Sequence, residues 1–126
     1  MADVLYPKFK QDLLNAYLNA ADVRVALMKS SYVYNAAHDF MNDVSADENG
    51  RSAALTGKTF TDGVFDAADT TITATAAAAC NALIVFIHTG SDATARILGY
   101  IDYSAFTPSA GQVCNVAFNA SGIWTL

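Results

Sequence analysis

Two imidazoles, His38 and His88, stand fifty residues apart in the chain. Zinc sites usually draw ligands from closely spaced Cys or His pairs, and no such pair occurs here. A structural zinc site is therefore not expected. His88 has the chemistry of a general base toward a serine, but the Gly-x-Ser-x-Gly turn that would present that serine is missing. No hydrolase is expected and no catalytic residue is assigned. Gly57-Lys58-Thr59 ends like a phosphate-binding loop. That motif needs a glycine where Ser52 stands and a helix after the threonine, so the tripeptide reads as strand.

Calcium prefers several converging oxygens, and two acidic clusters offer them: Asp43, Asp47 and Glu48, then Asp62, Asp66 and Asp69. Neither has the alternating spacing of an EF-hand loop, so both read as solvated turns without metal or cofactor. Asn119-Ala120-Ser121 matches the glycosylation acceptor pattern and reads as a turn, because no secretory leader is recognisable. Trp124, Tyr32, Tyr34, Tyr100 and Tyr103 have the chemistry of a sugar-stacking platform. Aromatics also dominate cores and subunit contacts, and that is the preferred reading here.

The elements that must hold these groups follow from the hydrophobic period. Tyr6, Phe9, Leu13, Leu14, Tyr17 and Leu18 form one helical stripe, which predicts a helix over 7–20, started by Pro7 and laid on a sheet. From Val23 the period falls to two, predicting a strand over 23–28. A short helical turn is expected within 38–44. Asn49-Gly50 and Asp62-Gly63 tolerate positive φ and predict turns between strands at 51–60 and 64–65. Further strands are expected at 70–75, 96–103, 113–118 and 123–126. The four alanines at 76–79 are too few to nucleate a helix. Residues 82–87 are continuously apolar, which predicts a central strand covered on both faces. The expected fold is thus mainly β, a jelly-roll-like sandwich of about eight strands with one short N-terminal helix, as a single domain over 1–126.

Composition excludes several partners. Seven Lys and Arg against twelve Asp and Glu give a net charge of -5, the wrong sign for neutralising phosphates, so neither nucleic acid nor an anionic membrane is an expected partner. No run of about 18 apolar residues could span a bilayer. Residence in a cytosol is the expectation, with Cys80 and Cys114 as reduced, buried thiols. Beyond Gly63 the only basic side chain is Arg96. Docking that needs few charges is therefore expected, through the charge-poor second half. The alternative places it on Lys8, Lys10, Arg24 and the acidic loop around Asp47.

Several segments carry a resemblance. Tyr6-Pro7-Lys8-Phe9-Lys10-Gln11-Asp12-Leu13-Leu14 leads into Asp22-Val23-Arg24-Val25-Ala26-Leu27 and Tyr34-Asn35-Ala36-Ala37-His38-Asp39-Phe40. Leu55-Thr56-Gly57-Lys58-Thr59 and Thr61-Asp62-Gly63-Val64-Phe65-Asp66-Ala67 follow. In this order they resemble the capsid decoration, or cement, proteins of tailed bacteriophages, up to about Asp102. The resemblance implies a jelly-roll-like fold, a homo-oligomer (dimer or trimer), and no enzyme activity. It also implies a place on the virion exterior, bound to the major capsid protein, after synthesis in the host bacterial cytoplasm. It transfers no functional residue. Two rivals remain: a phage tail or baseplate component, and a carbohydrate-binding module on the virion surface.

Overall fold

The computed structural model describes residues 3–126. Among them it has one α-helix, α1 (Pro7–Leu18), and eight strands: β1 (Val23–Lys29), β2 (Glu48–Arg51), β3 (Val64–Phe65), β4 (Thr70–Thr73), β5 (Cys80–Ile87), β6 (Ile97–Phe106), β7 (Val113–Val116) and β8 (Trp124–Thr125). The fold is mainly β, with every strand pairing antiparallel. One four-stranded sheet runs β2-β1-β5-β6, and two ribbons pair β3 with β8 and β4 with β7.

The interior strands β1 and β5 explain the architecture. Their side chains alternate across the sheet, as the pleat requires. Val25, Leu27, Leu83 and Val85 enter a core with Leu14, Leu18, Phe65, Ile72 and Val116, so α1 and both ribbons cover that face. Ala26, Met28, Ala82, Ile84 and Phe86 enter a second core with Tyr32, Met41, Val44 and Ala95. Here the cover is not a sheet but the 30–47 segment, which includes two 3-10 turns at Met41–Asp43 and Ser45–Asp47. Apolar cover on both sides is why 82–87 has no polar position, and the strand is interior as its composition predicts.

Three local expectations need correcting. Asn49-Gly50 is not a turn: both residues lie within β2. Asn49 is wholly buried, and its amide bridges to the alanine-rich loop. Its Nδ2 donates to the Ala76 carbonyl (3.0 Å) and to Cys80 Sγ (3.3 Å), while its Oδ1 accepts from Thr75 Oγ1 (3.0 Å) and Ala76 N (2.9 Å). Gly50 uses its positive φ of 112° for a close approach, since a Cβ there would sit 2.4 Å from the Thr73 carbonyl oxygen. Second, the strand expected over 51–60 stops at Arg51. Beyond it the chain stays near β1 through Ser52 N to Val25 O and Leu55 N to Val23 O, each 2.8 Å, and through Val25 N to Ser52 Oγ at 3.1 Å.

Third, the six-residue stripe of α1 is not all laid on the sheet. Leu14 and Leu18 are buried, but Tyr6 (77%), Phe9 (51%), Leu13 (42%) and Tyr17 (59%) remain exposed. The helix is rotated because polar contacts hold another side. Gln11 Oε1 accepts from Asp62 N (3.0 Å), Lys8 pairs with Asp62 (3.0 Å), and the Lys10 stem lies against Gly63. The helix ends at Leu18 rather than at residue 20, and Lys58 Nζ donates to the carbonyls of Leu18 (2.8 Å) and Ala21 (2.6 Å). Carbonyls at a helix C-terminus lack internal partners, and an ammonium suits the negative end of the dipole. That contact is the role of the Gly57-Lys58-Thr59 fragment.

Candidate functional site

The titratable groups singled out by the sequence are dispersed as local structural contacts. Asp43 Oδ2 accepts from Asp39 N (2.9 Å) and Phe40 N (3.2 Å), and these two bonds hold its carboxyl below the ordinary range. Asp47 accepts from Ser31 Oγ. Glu48 pairs with Arg51 at 2.6 Å, and Asp92 joins from across the fold at 3.2 Å. The Arg51 guanidinium lies 4.8 Å above the Phe86 ring, and its hydrogen bonds to Glu48 raise its pKa first among several causes. Asp66 and Asp69 accept backbone bonds from Ala67 and Phe118. Among the described residues no three His, Cys, Asp or Glu side chains converge as a metal site would need. Both thiols are free and buried, with burial raising that of Cys114. Asn119 to Gly122 is a turn, closed by Gly122 N to Asn119 O at 2.9 Å. His88 lies edge-on to Phe86, and the only pairing of the other imidazole that bears on chemistry is with tyrosine.

That pairing belongs to an aromatic recess. Sequence reasoning grouped five aromatics, and the fold divides them. Trp124 packs 4.8 Å from Phe65, and Tyr103 lies edge-on to Phe106 at 6.0 Å, both against the core under α1 and the ribbons. Tyr32, Tyr34 and Tyr100 gather on the opposite face of the four-stranded sheet. Tyr100 is 6.1 Å from Tyr32 and 5.6 Å from Tyr34, and with Asn35 and His38 they line an opening of about 220 Å³. The Tyr32 hydroxyl meets His38 Nδ1 at 3.1 Å. Burial raises the phenol pKa of Tyr32, and burial followed by the Asp102 carboxylate raises that of Tyr100. Asn35 and His38 were not foreseen as part of this group. No spacing marks them, because a loop at 32–38 meets a strand some sixty positions later.

The second unpartnered feature is the outer stripe of α1. Val4 and Leu5 extend it, and both are exposed. No charged residue lies among these six positions, while Lys8 and Lys10 are turned toward the 61–63 turn. Weighted by exposure, Tyr6, Phe9 and Tyr17 alone offer roughly 300 to 450 Å², taking about 150 to 250 Å² for each aromatic side chain. The largest patch on an ordinary monomer is about 300 to 600 Å². By contrast, the charge-poor half from Val64 onward contributes only Val113 and Leu126 to the exposed large apolar side chains. The exposed large apolar side chains are thus concentrated between Val4 and Tyr17 rather than in the second half.

No family model matches the chain, and neither a curated protein nor a solved structure matches it.

Proposed function

We propose that this chain is a structural subunit that decorates the outside of an icosahedral phage head, docking the outer stripe of α1 onto the major capsid protein. One observation carries the reading: Val4, Leu5, Tyr6, Phe9, Leu13 and Tyr17, on α1 and the residues leading into it, leave uncharged, aromatic-rich surface uncovered, on the scale of the patches that mark interaction sites. Its composition, with aromatics present and charges absent, is that of an interface core. The occupant is accordingly an apolar strip of the shell protein, low in charge. A dimer or trimer belongs to the same proposal, since many weak attachments on a closed shell add through multivalency. So does the jelly-roll arrangement, with the two ribbons serving as the layer opposite the four-stranded sheet. The dispersal of the titratable groups into structural contacts is in keeping with a binding role.

Co-sedimentation with undecorated heads tests the proposal. Wild-type protein should pellet with the heads, and the double variant Phe9→Ser, Tyr17→Ser should stay in the supernatant while melting like the parent. Equal pelleting of both would overturn the assignment of α1. If the variant instead broke a preformed oligomer of the free protein, the stripe would be an interface between copies, and the docking assignment would fail.

A further inference from the structure

We propose that the recess bounded by Tyr32, Tyr34 and Tyr100 binds a neutral saccharide ring. Its size sets the scale. At about 30 Å³ per water, 220 Å³ holds roughly seven waters, the room for one ring and less than the ~300 to 1,000 Å³ of drug-sized sites.

The lining sets the charge. No Lys, Arg, Asp or Glu lines the opening, so an anion placed there would lose solvation without gaining a cationic partner, and a cation would meet ring faces but no carboxylate among the lining residues. The hydrogen-bonding groups beside the rings favour an uncharged, hydroxyl-bearing ligand over a bare cation.

The remaining groups set the chemistry. The Tyr34 and Tyr100 rings offer π faces, backed by the buried Tyr32, and the C–H face of a pyranose complements such a face. The Tyr32 phenol, the His38 imidazole and the Asn35 amide offer hydrogen bonds suited to ring hydroxyls. A purely apolar ligand would desolvate His38 Nε2 and the Asn35 amide nitrogen without giving them a partner, a loss that weighs against it.

The groups are also held in place before any ligand arrives. The Tyr32 contact to Nδ1 orients the His38 ring, leaving Nε2 as its other hydrogen-bonding atom. Asn35 Oδ1 accepts from Ala37 N at 2.9 Å, which fixes the amide. Tyr32 is almost fully buried and anchors the group, whereas Tyr34 is 60% exposed and presents its ring at the rim. Immobilising such side chains in advance lowers the entropy lost on binding. The recess lies on the face of the sheet opposite α1, so attachment through α1 leaves it open.

Two-dimensional NMR titration of the full chain tests the site, using the methyl glycosides of glucose, galactose, mannose and N-acetylglucosamine up to tens of millimolar. At least one should give saturable shifts centred on residues 32–38 and 97–100, with a millimolar Kd. Tyr34→Ala should weaken that binding by about tenfold or more, equivalent to ~1.4 kcal/mol, without lowering Tm. Tyr17→Ala, on the opposite face, should bind as the parent does. Absence of saturable shifts with all four glycosides would overturn the proposal. So would shifts centred elsewhere, or a Tyr34→Ala variant that binds like the wild type.

Discussion

Lys58 Nζ donates to the carbonyl oxygen of Leu18 at 2.8 Å, tying the end of α1 to a loop forty positions later in the chain. A second bond, to Ala21, makes this one ammonium the cap of the turn that leads into β1. Lys58→Met keeps most of the aliphatic stem but leaves both carbonyls without this donor. The expected loss is about 1 to 3 kcal/mol, read from urea unfolding followed by far-UV circular dichroism. Parent-like stability in this variant would show that water replaces the ammonium without cost.

Ile84 and Phe86 lie in β5 on the face covered by the 30–47 segment, and both are buried. Ile84→Ala and Phe86→Ala are each expected to cost roughly 2 to 5 kcal/mol through lost burial and the cavity left behind. Phe86→Ala also removes the ring beneath Arg51. Chemical denaturation of the two variants measures the losses, and a parent-like midpoint in either would contradict an interior β5.

Gly50→Ala should be as damaging as a core truncation, although it adds only one methyl group. The new Cβ would meet the Thr73 carbonyl oxygen, and the backbone already has a φ that L side chains rarely adopt. Backbone strain of this type costs on the order of 1 to 3 kcal/mol before the clash is counted. Asn49→Ala should add to the evidence from the other side of the same contact, by leaving Ala76 and Thr75 without their partner. Tm measured by scanning calorimetry should fall for both variants.

Asp43 sets an acid limit. Its folded pKa lies below the ordinary 3.8, because the ionised carboxylate accepts the amides of Asp39 and Phe40. The unfolded chain therefore takes up this proton first as pH falls. The stabilisation is present above about 3.8 and is lost as pH drops through the folded value. Asp43→Asn should melt below the parent at neutral pH, and the two curves should converge under strong acid. A gap that stayed constant with pH would mean that the charge plays no part.

Attachment through α1 should resist salt. Apolar contact does not weaken as the screening length falls from about 10 Å at 0.1 M to about 3 Å at 1 M. Heads decorated with the wild-type protein should keep it near 1 M sodium chloride. Release by about 0.3 M would shift the interface to charged groups such as Lys10 and Arg24.

The legible parts of this fold are those where composition alone reports the environment. The unbroken apolar run at 82–87 implied cover on both faces, and Ile84 and Val85 indeed point into different cores. Pro7 marked where α1 begins. The stripe of α1 was legible as an apolar arc but misread as a single sheet-facing side, since periodicity does not say which part of so wide an arc is covered, and only Leu14 and Leu18 are. Tyr17 and Leu18 are adjacent in sequence, yet one is exposed and the other buried. Asn49-Gly50 misled because the same positive φ serves a hairpin or a close backbone approach, and Thr73, which decides between them, is remote in sequence. The tyrosine recess was half legible: its three rings were in the aromatic group, but Trp124 and Tyr103 were indistinguishable from them until the pleat placed them on the other side.

The outer stripe of α1 and the tyrosine rim lie on opposite sides of the four-stranded sheet, with the helix, the core beneath it and the sheet between them. Two surfaces separated in this way answer to different pressures. Under the proposed docking, the outer residues of α1 would be tied to a partner's surface, whereas Val33, exposed on the other side of the sheet and outside the lining of the tyrosine recess, would answer to neither surface. Related chains should accordingly diverge faster at Val33 than at Tyr32, Tyr34 or His38.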